Sequence, residues 1–471
     1  MIYFEIRGKL PILNGRRKDG FLETGDRLFK QLKRKPIINM KKPTLITVIA
    51  TALLFGCSKK DIPQPDASGL GKTELAFAGT SLAQAAASST YTDESAFVAS
   101  LSSYGFKNPT QLSYNRTGQT NYTSAHGFNI PAANRAGGFK WNAGDEETAE
   151  WRPQGIAGFT MGGRRFILTT WYGTEPDDVA GVHNGHKGVR LALADITDLS
   201  NVTYRLILLV QQYSNTSNSL LWDNLYAQDG NAAHNYTKGS LFAPITIHAG
   251  GVAIYGTKVY VADTGRGLRV FDLNNFIAVS SDSESQCGKM ANNTLQAFNY
   301  GYILPETGWY QLSGASPYSC VEFGEGNNLW FGQYYGFNKN GTGTPPSQTP
   351  AVSGFALNTS GQLTGAAPTA ITPRDDIAGD TKVFNMQGAY RKGTQTFMSI
   401  TNNSEYEGST ARFLRYNDGA ALGVRYRWPH GAEDLYYESA TGLLWCLTEF
   451  EKAKYGSDNR CVFAVRLTDY D

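Results

Sequence analysis

Gln154-Gly155-Ile156, followed by Phe166-Ile167-Leu168-Thr169-Thr170-Trp171-Tyr172, is the first of five passages built alike between Trp151 and the C-terminus. The other four open on His248-Ala249-Gly250-Gly251-Val252, Tyr318-Ser319-Cys320-Val321, Gln387-Gly388-Ala389 and Glu433-Asp434-Leu435. Their second runs are 258–263, 329–334, 396–400 and 443–449. In each, a polar residue beside a small one begins a short apolar strand, and a turn and a β-rich run follow. Third runs recur at 189–195, 268–273, 354–358, 412–416 and 461–467, and outer runs at 203–210 and 301–305. Strands alternating with polar turns are what a four-stranded antiparallel blade requires. Units of this size cannot bury both faces alone, so they stack on one another. The reading is therefore all-β: a single β-propeller over 151–471, five-bladed, with six or seven blades as alternatives.

Composition agrees. The chain holds 51 glycines and 12% aromatics, which favours strands and tight turns over helix packing. The one modest helical pattern spans 94–103. Residues 91–150 are expected to supply a cap or a closing strand.

The N-terminus carries an address. Met40-Lys41-Lys42 precedes the apolar run 45–55 and then Gly56-Cys57-Ser58. A basic head, a short apolar stretch and a small residue make an export signal, too short for a span of about 20 residues. Leu54-Phe55-Gly56-Cys57 resembles the bacterial lipobox, which implies lipid on Cys57 and removal of 40–56. Residues 1–39 hold ten Lys+Arg against four Asp+Glu with no periodic core, and read as an extension ahead of the initiator Met40. Without 1–56 the charge is 31 Lys+Arg against 37 Asp+Glu, a net of −6 rather than +2. Nucleic-acid binding thereby loses its electrostatic support. Residues 57–90, rich in Pro, Ala, Ser and Gly, read as a tether. The expected location is the bacterial cell envelope, at the outer membrane.

Four cysteines remain besides Cys57. Cys446 and Cys461 fall on consecutive strands and Cys287 and Cys320 are left over, so two disulfides are expected, with buried free thiols as the alternative.

In a propeller the inner-strand ends converge on one mouth. Gln154, His248, Ser319, Gln387, Glu433 and Asp434 are placed there, with Tyr172, Asp263, Gln333, Asn402 and Glu449 further out. Such a ring suits a sugar-like ligand, or else a wet, empty channel. His248 is the candidate general base. Arg266 offers a fork for a carboxylate, with Asp263 orienting it or His248. Glu433, Asp434 and Glu449 form the one carboxylate cluster near an inner-strand start, but three successive inner strands do not each begin on an acid, as five-bladed glycosidases would require. His183 and His186 lack a third ligand, and no metal or cofactor is expected.

The passages 151–155, 248–251, 260–264, 386–389, 433–436 and 444–449 resemble a family of secreted bacterial propeller-like proteins, frequent in actinobacteria. The resemblance covers about 150–467 and implies the fold rather than a reaction. Secreted propellers also include polysaccharide lyases, which use histidine and tyrosine as base and acid and arginine or histidine against a uronate. By that distant likeness His248, Tyr172 or Tyr318, and Arg266 would take those parts, although no lyase motif is matched. Two readings result: a lipid-anchored, monomeric propeller that binds and cleaves an extracellular polysaccharide by β-elimination, or a non-catalytic surface propeller recognising a glycan or a protein.

Overall fold

The structure, a computed structural model, describes residues 89–173, 188–213, 237–263, 267–312, 318–337, 347–377, 380–401, 411–450 and 459–471. Five four-stranded antiparallel blades occupy most of them. Blade 1 is Trp151–Met161, Arg164–Gly173, Val189–Asp195 and Thr203–Gln212. Blade 2 is Val252–Tyr255, Lys258–Asp263, Gly267–Asp272 and Tyr302–Leu312. Blade 3 is Tyr318–Gly324, Asn328–Gln333, Val352–Ala356 and Thr369–Ile371. Blade 4 is Met386–Lys392, Gln395–Ile400, Arg412–Asn417 and Val424–Arg427.

Blade 5 has three strands from the C-terminus, Ala432–Glu438, Leu443–Thr448 and Cys461–Arg466. Its outer strand, Arg135–Lys140, comes from the other end of the sequence and runs antiparallel to Cys461–Arg466. Each inner strand touches the next, and the fifth touches the first. The result is a closed propeller.

Apolar side chains fill the seams between blades. Trp141, Ile167, Trp171 and Trp445 pack between blades 5 and 1, and Leu168, Leu191, Val259 and Phe271 between 1 and 2. Tyr260, Leu268, Phe331 and Phe355 pack between 2 and 3, Cys320, Trp330, Met398 and Leu414 between 3 and 4, and Phe397, Phe413, Leu444 and Phe463 between 4 and 5. Alternation along each strand gives every blade two apolar faces, so a lone blade would leave one of them wet.

The cysteines correct the sequence expectation. Cys287, Cys320, Cys446 and Cys461 are all buried free thiols. Cys446 lies opposite Phe463, and Leu447 opposite Val462, so register carries Cys461 past Cys446 toward Thr448. Thr448 Oγ1 stands 3.5 Å from Cys461 Sγ. Cys287 belongs to an outlying apolar cluster with Phe97, Leu208 and Ile303, whereas Cys320 lies in the seam of blades 3 and 4. Burial pushes the Cys461 thiol up to about 12 and the Cys287 and Cys446 thiols upward as well. These are packing groups rather than nucleophiles.

Two measurements check this fold. In denaturant without reductant, all four thiols should react with a thiol reagent. Gly251→Ala should destabilise by about 3 kcal/mol, because a Cβ there would stand 2.3 Å from Val321 N. Gly256→Ala, at φ 62° with open space around it, should cost only about 1 kcal/mol in thermal unfolding.

Candidate functional site

The mouth is built by a repeated irregularity. Register slips between Pro153 and Ile156, Tyr318 and Cys320, Met386 and Gly388, and Ala432 and Leu435, always at the start of an inner strand. Such a bulge re-aims the extra side chain. Here the bulged segments carry Gln154, Ser319, Gln387 and the Glu433–Asp434 pair. A glycine follows two of them, and Gly251 stands at the matching place in blade 2, for a steric reason. A Cβ on Gly155 would lie 2.7 Å from Gly251 C, one on Gly251 2.5 Å from Cys320 Cα, and one on Gly388 2.8 Å from Glu433 O. The inner strands meet backbone to backbone.

The polar side chains turn from the channel into these junctions. The backbone N–H groups of Ile156 and Val252 both donate to Asp434 Oδ2, each at 3.2 Å, so one carboxylate joins blade 5 to blades 1 and 2. Gln154 Nε2 donates to Glu449 Oε2 at 2.7 Å, and Gln387 Nε2 to Glu433 Oε1 at 2.9 Å. Ser319 Oγ donates to Met386 O, Thr170 Oγ1 to Ala249 O, and Thr401 Oγ1 to Ala432 O, all at 2.8 Å. All seven of these bonds join different blades, and all but the one from Val252 to Asp434 join neighbours. Exposure of Glu433, Asp434 and Ser319 is 0%, of Gln154 1%, and of Gln387 and Glu449 2%. The ring expected to hold a ligand is buried and engaged with itself. Gln333 likewise accepts from Ala351 N at 2.8 Å. Further along the inner strands, burial and then the nearby Asp434 raise the Glu322 carboxyl well above its ordinary range.

Asp263 has a buried partner that its own segment does not announce. Its Oδ2 accepts from Arg269 Nε at 2.9 Å, and Arg269 also reaches Gln211 Oε1 at 3.1 Å and Glu306 Oε2 at 3.0 Å. The cluster is buried where the sheets of blades 1 and 2 join along Leu208–Val210 and Ile303–Pro305. Burial lifts the Glu306 carboxyl to about 7 against the pull of Arg269, with Glu94 adding to the rise. Tyr318 joins the apolar seam of blades 2 and 3, 4.9 Å from the Phe331 ring, and burial raises its hydroxyl to about 12. Asn402, Arg266, Cys57, His183 and His186 lie outside the described residues.

Two of the proposed catalytic groups do come together. Tyr172 and His248 stack with ring centroids 4.2 Å apart and planes at 28°. Tyr172 is the last residue but one of the second strand of blade 1, and His248 precedes the left-handed Ala249 (φ 53°) that turns the chain into blade 2. His248 is partly exposed. Arg152 was missed: it is the cross-strand partner of Tyr172, and paired residues share a face of the sheet. Counting back around the Gly162-Gly163 turn with one bulge allowed would have found it. His430 occupies in blade 5 the place His248 has in blade 2, again before a left-handed residue, Gly431 (φ 65°). It is buried, and its ring meets that of His126 at 6.3 Å.

No family model and no curated protein matches the chain. Among solved structures, RS223-β-xylosidase is similar at 10% identity and TM-score 0.35, over 67% of this chain and 92% of that one. An α-L-arabinofuranosidase from Clostridium thermocellum is similar at 12% identity and TM-score 0.32, over 65% and 88%. Pseudomonas fluorescens PhoX in complex with vanadate is similar at 9% identity and TM-score 0.34, over 77% and 95%. Likenesses this loose carry no argument; the fold rests on the strand pairing itself.

Glu306 gives a pH test. Its folded-state value, raised to about 7 from an ordinary carboxyl near 4.5, means the folded chain holds a proton that the unfolded chain releases. Stability from this group is therefore full at low pH and declines between about pH 4.5 and 7. Glu306→Gln should remove that decline, on the order of 1–3 kcal/mol in chemical unfolding at pH 8 relative to pH 5.

Proposed function

We propose that the protein is a cell-envelope propeller, lipid-anchored through Cys57, that recognises an anionic polysaccharide on the face where Arg152, Tyr172 and His248 meet. The observation that carries this reading is the Tyr172–His248 stack with Arg152 in register beside it. A guanidinium is suited to the carboxylate of a uronate, and a phenol and an imidazole offer hydrogen bonds to its hydroxyls. The carboxylates Glu433, Asp434 and Glu449 do not support paired-acid hydrolysis, since all three are buried and hydrogen-bonded between blades.

The same stack supports a second reading, β-elimination. Arg152 would neutralise the uronate carboxylate and His248 would take the proton from C5. The C4–O bond would then break as a C4–C5 double bond forms, and Tyr172 would give its proton to the departing oxygen.

Incubating the purified protein with acidic and neutral polysaccharides tests both readings. Retention of an acidic polysaccharide in an affinity gel, weakened about tenfold or more by Arg152→Ala and by His248→Ala, is the expected result. Absorbance of unsaturated uronate would identify elimination, and new reducing ends without it would contradict that reaction. Failure to retain any acidic polysaccharide would overturn the proposal.

A further inference from the structure

A groove of about 490 Å³ lies between blades 3 and 4, lined among others by Trp330, Thr369, Thr372, Arg391, Tyr416 and Asp418. Its place in the fold separates it from the mouth. Arg391 stands near the end of the inner strand Met386–Lys392 and Asp418 just beyond the strand Arg412–Asn417, whereas the mouth is at the inner-strand starts. The size falls within the range of about 300–1,000 Å³ usual for small-molecule sites.

The floor is aromatic and rigid. Trp330 and Tyr416 are 6% and 5% exposed. The indole lies against Gly354, where an added Cβ would come within 2.7 Å of it, and near Gly324 on the other neighbouring strand, likewise 2.7 Å from an added Cβ. Arg391 stands over the Trp330 ring, 5.9 Å from its centroid. Its guanidinium donates to Thr396 Oγ1 and to Asp418 Oδ1, both at 2.8 Å, and makes a second, shorter contact with Asp418 Oδ2. The fork is thus held in one orientation before any ligand arrives.

Charge decides what kind of ligand fits. Arg391 and Asp418 are the two charged residues lining the groove, and they cancel. An anion would meet a guanidinium already satisfied by a carboxylate, and a cation the reverse. The Asp418 side chain, 41% exposed, keeps lone pairs toward solvent, and Thr369 and Thr372 are exposed at the rim. Gly393 and Gly419 complete the rim, and a Cβ at either would meet nothing within 4 Å. Apolar rings below and neutral hydrogen-bonding groups above match the two aspects of a pyranose, its C–H face and its hydroxyl edge.

We infer that this groove is a second binding site, taking a sugar unit of an uncharged glycan chain. It is independent of the Arg152–Tyr172–His248 face and would let one propeller hold a neutral and an acidic polysaccharide at opposite ends.

Titration calorimetry of the purified protein with cellohexaose and xylohexaose tests the inference. At least one of them should bind. Thr369→Trp, an exposed outer-strand substitution that fills the groove, and Asp418→Ala, which frees the guanidinium, should each weaken it about tenfold or more. Circular dichroism would confirm that both variants are folded. No binding of either oligosaccharide, or wild-type affinity in either folded variant, would overturn the site. The acidic-polysaccharide assay run in parallel bears on the His248 face alone, so each reading can fail without the other.

Discussion

The carboxylate of Asp434 ties three blades together through two backbone N–H groups, and the arrangement of the mouth depends on it. A fully buried carboxylate is tolerated only where donors reach it, and hydrogen bonds to a charged group contribute about 1.5–3 kcal/mol each. Those donors come within reach because Gly155 and Gly251 let the inner strands of blades 1 and 2 approach without intervening side chains. The bulges then turn Gln154, Ser319 and Gln387 toward neighbouring blades. Closing the ring and lining an open polar channel are competing uses of the same residues, and here closure wins.

That choice moves ligand contact outward. With the inner ring buried, the polar groups nearest the surface sit where one blade meets the next: the His248–Tyr172 stack at one end, the Trp330–Arg391 groove toward the other. Both rest on rigid strands. The mouth side is further braced by the helix Ala143–Glu147, whose Asp145 accepts from Tyr204 Oη at 2.6 Å and Arg116 at 2.7 Å. Buried Arg460 donates to the backbone of Asp145 and Thr148, fastening this helix to blade 5.

The propeller was legible because every blade repeats the same alternation of apolar run and turn, and such repetition survives local irregularity. The polar-then-small openings were legible too, but their physical meaning was not. Gln154-Gly155 and Gln387-Gly388 look like a ligand rim until the glycines are seen to admit a neighbouring backbone. Sequence holds no direct sign of which way a bulged side chain turns. The disulfide expectation failed on register: consecutive strands make Cys446 and Cys461 neighbours, and a shift of two residues is enough to part them. Tyr318 reads equally well as rim or core from its own segment, and Phe331 and Phe355, distant in sequence, decide for the core. The groove residues come from strands of two blades and share no local motif.

Amide hydrogen exchange tests the account most directly, at Ile156 and Val252, which lie in different blades and share one acceptor. The account predicts that both exchange as slowly as core amides, and that both lose protection together in Asp434→Asn while seam amides such as Phe397 keep theirs. Rapid exchange of either amide in the unaltered protein, or loss of protection at one without the other, would contradict the claim that this carboxylate closes the ring.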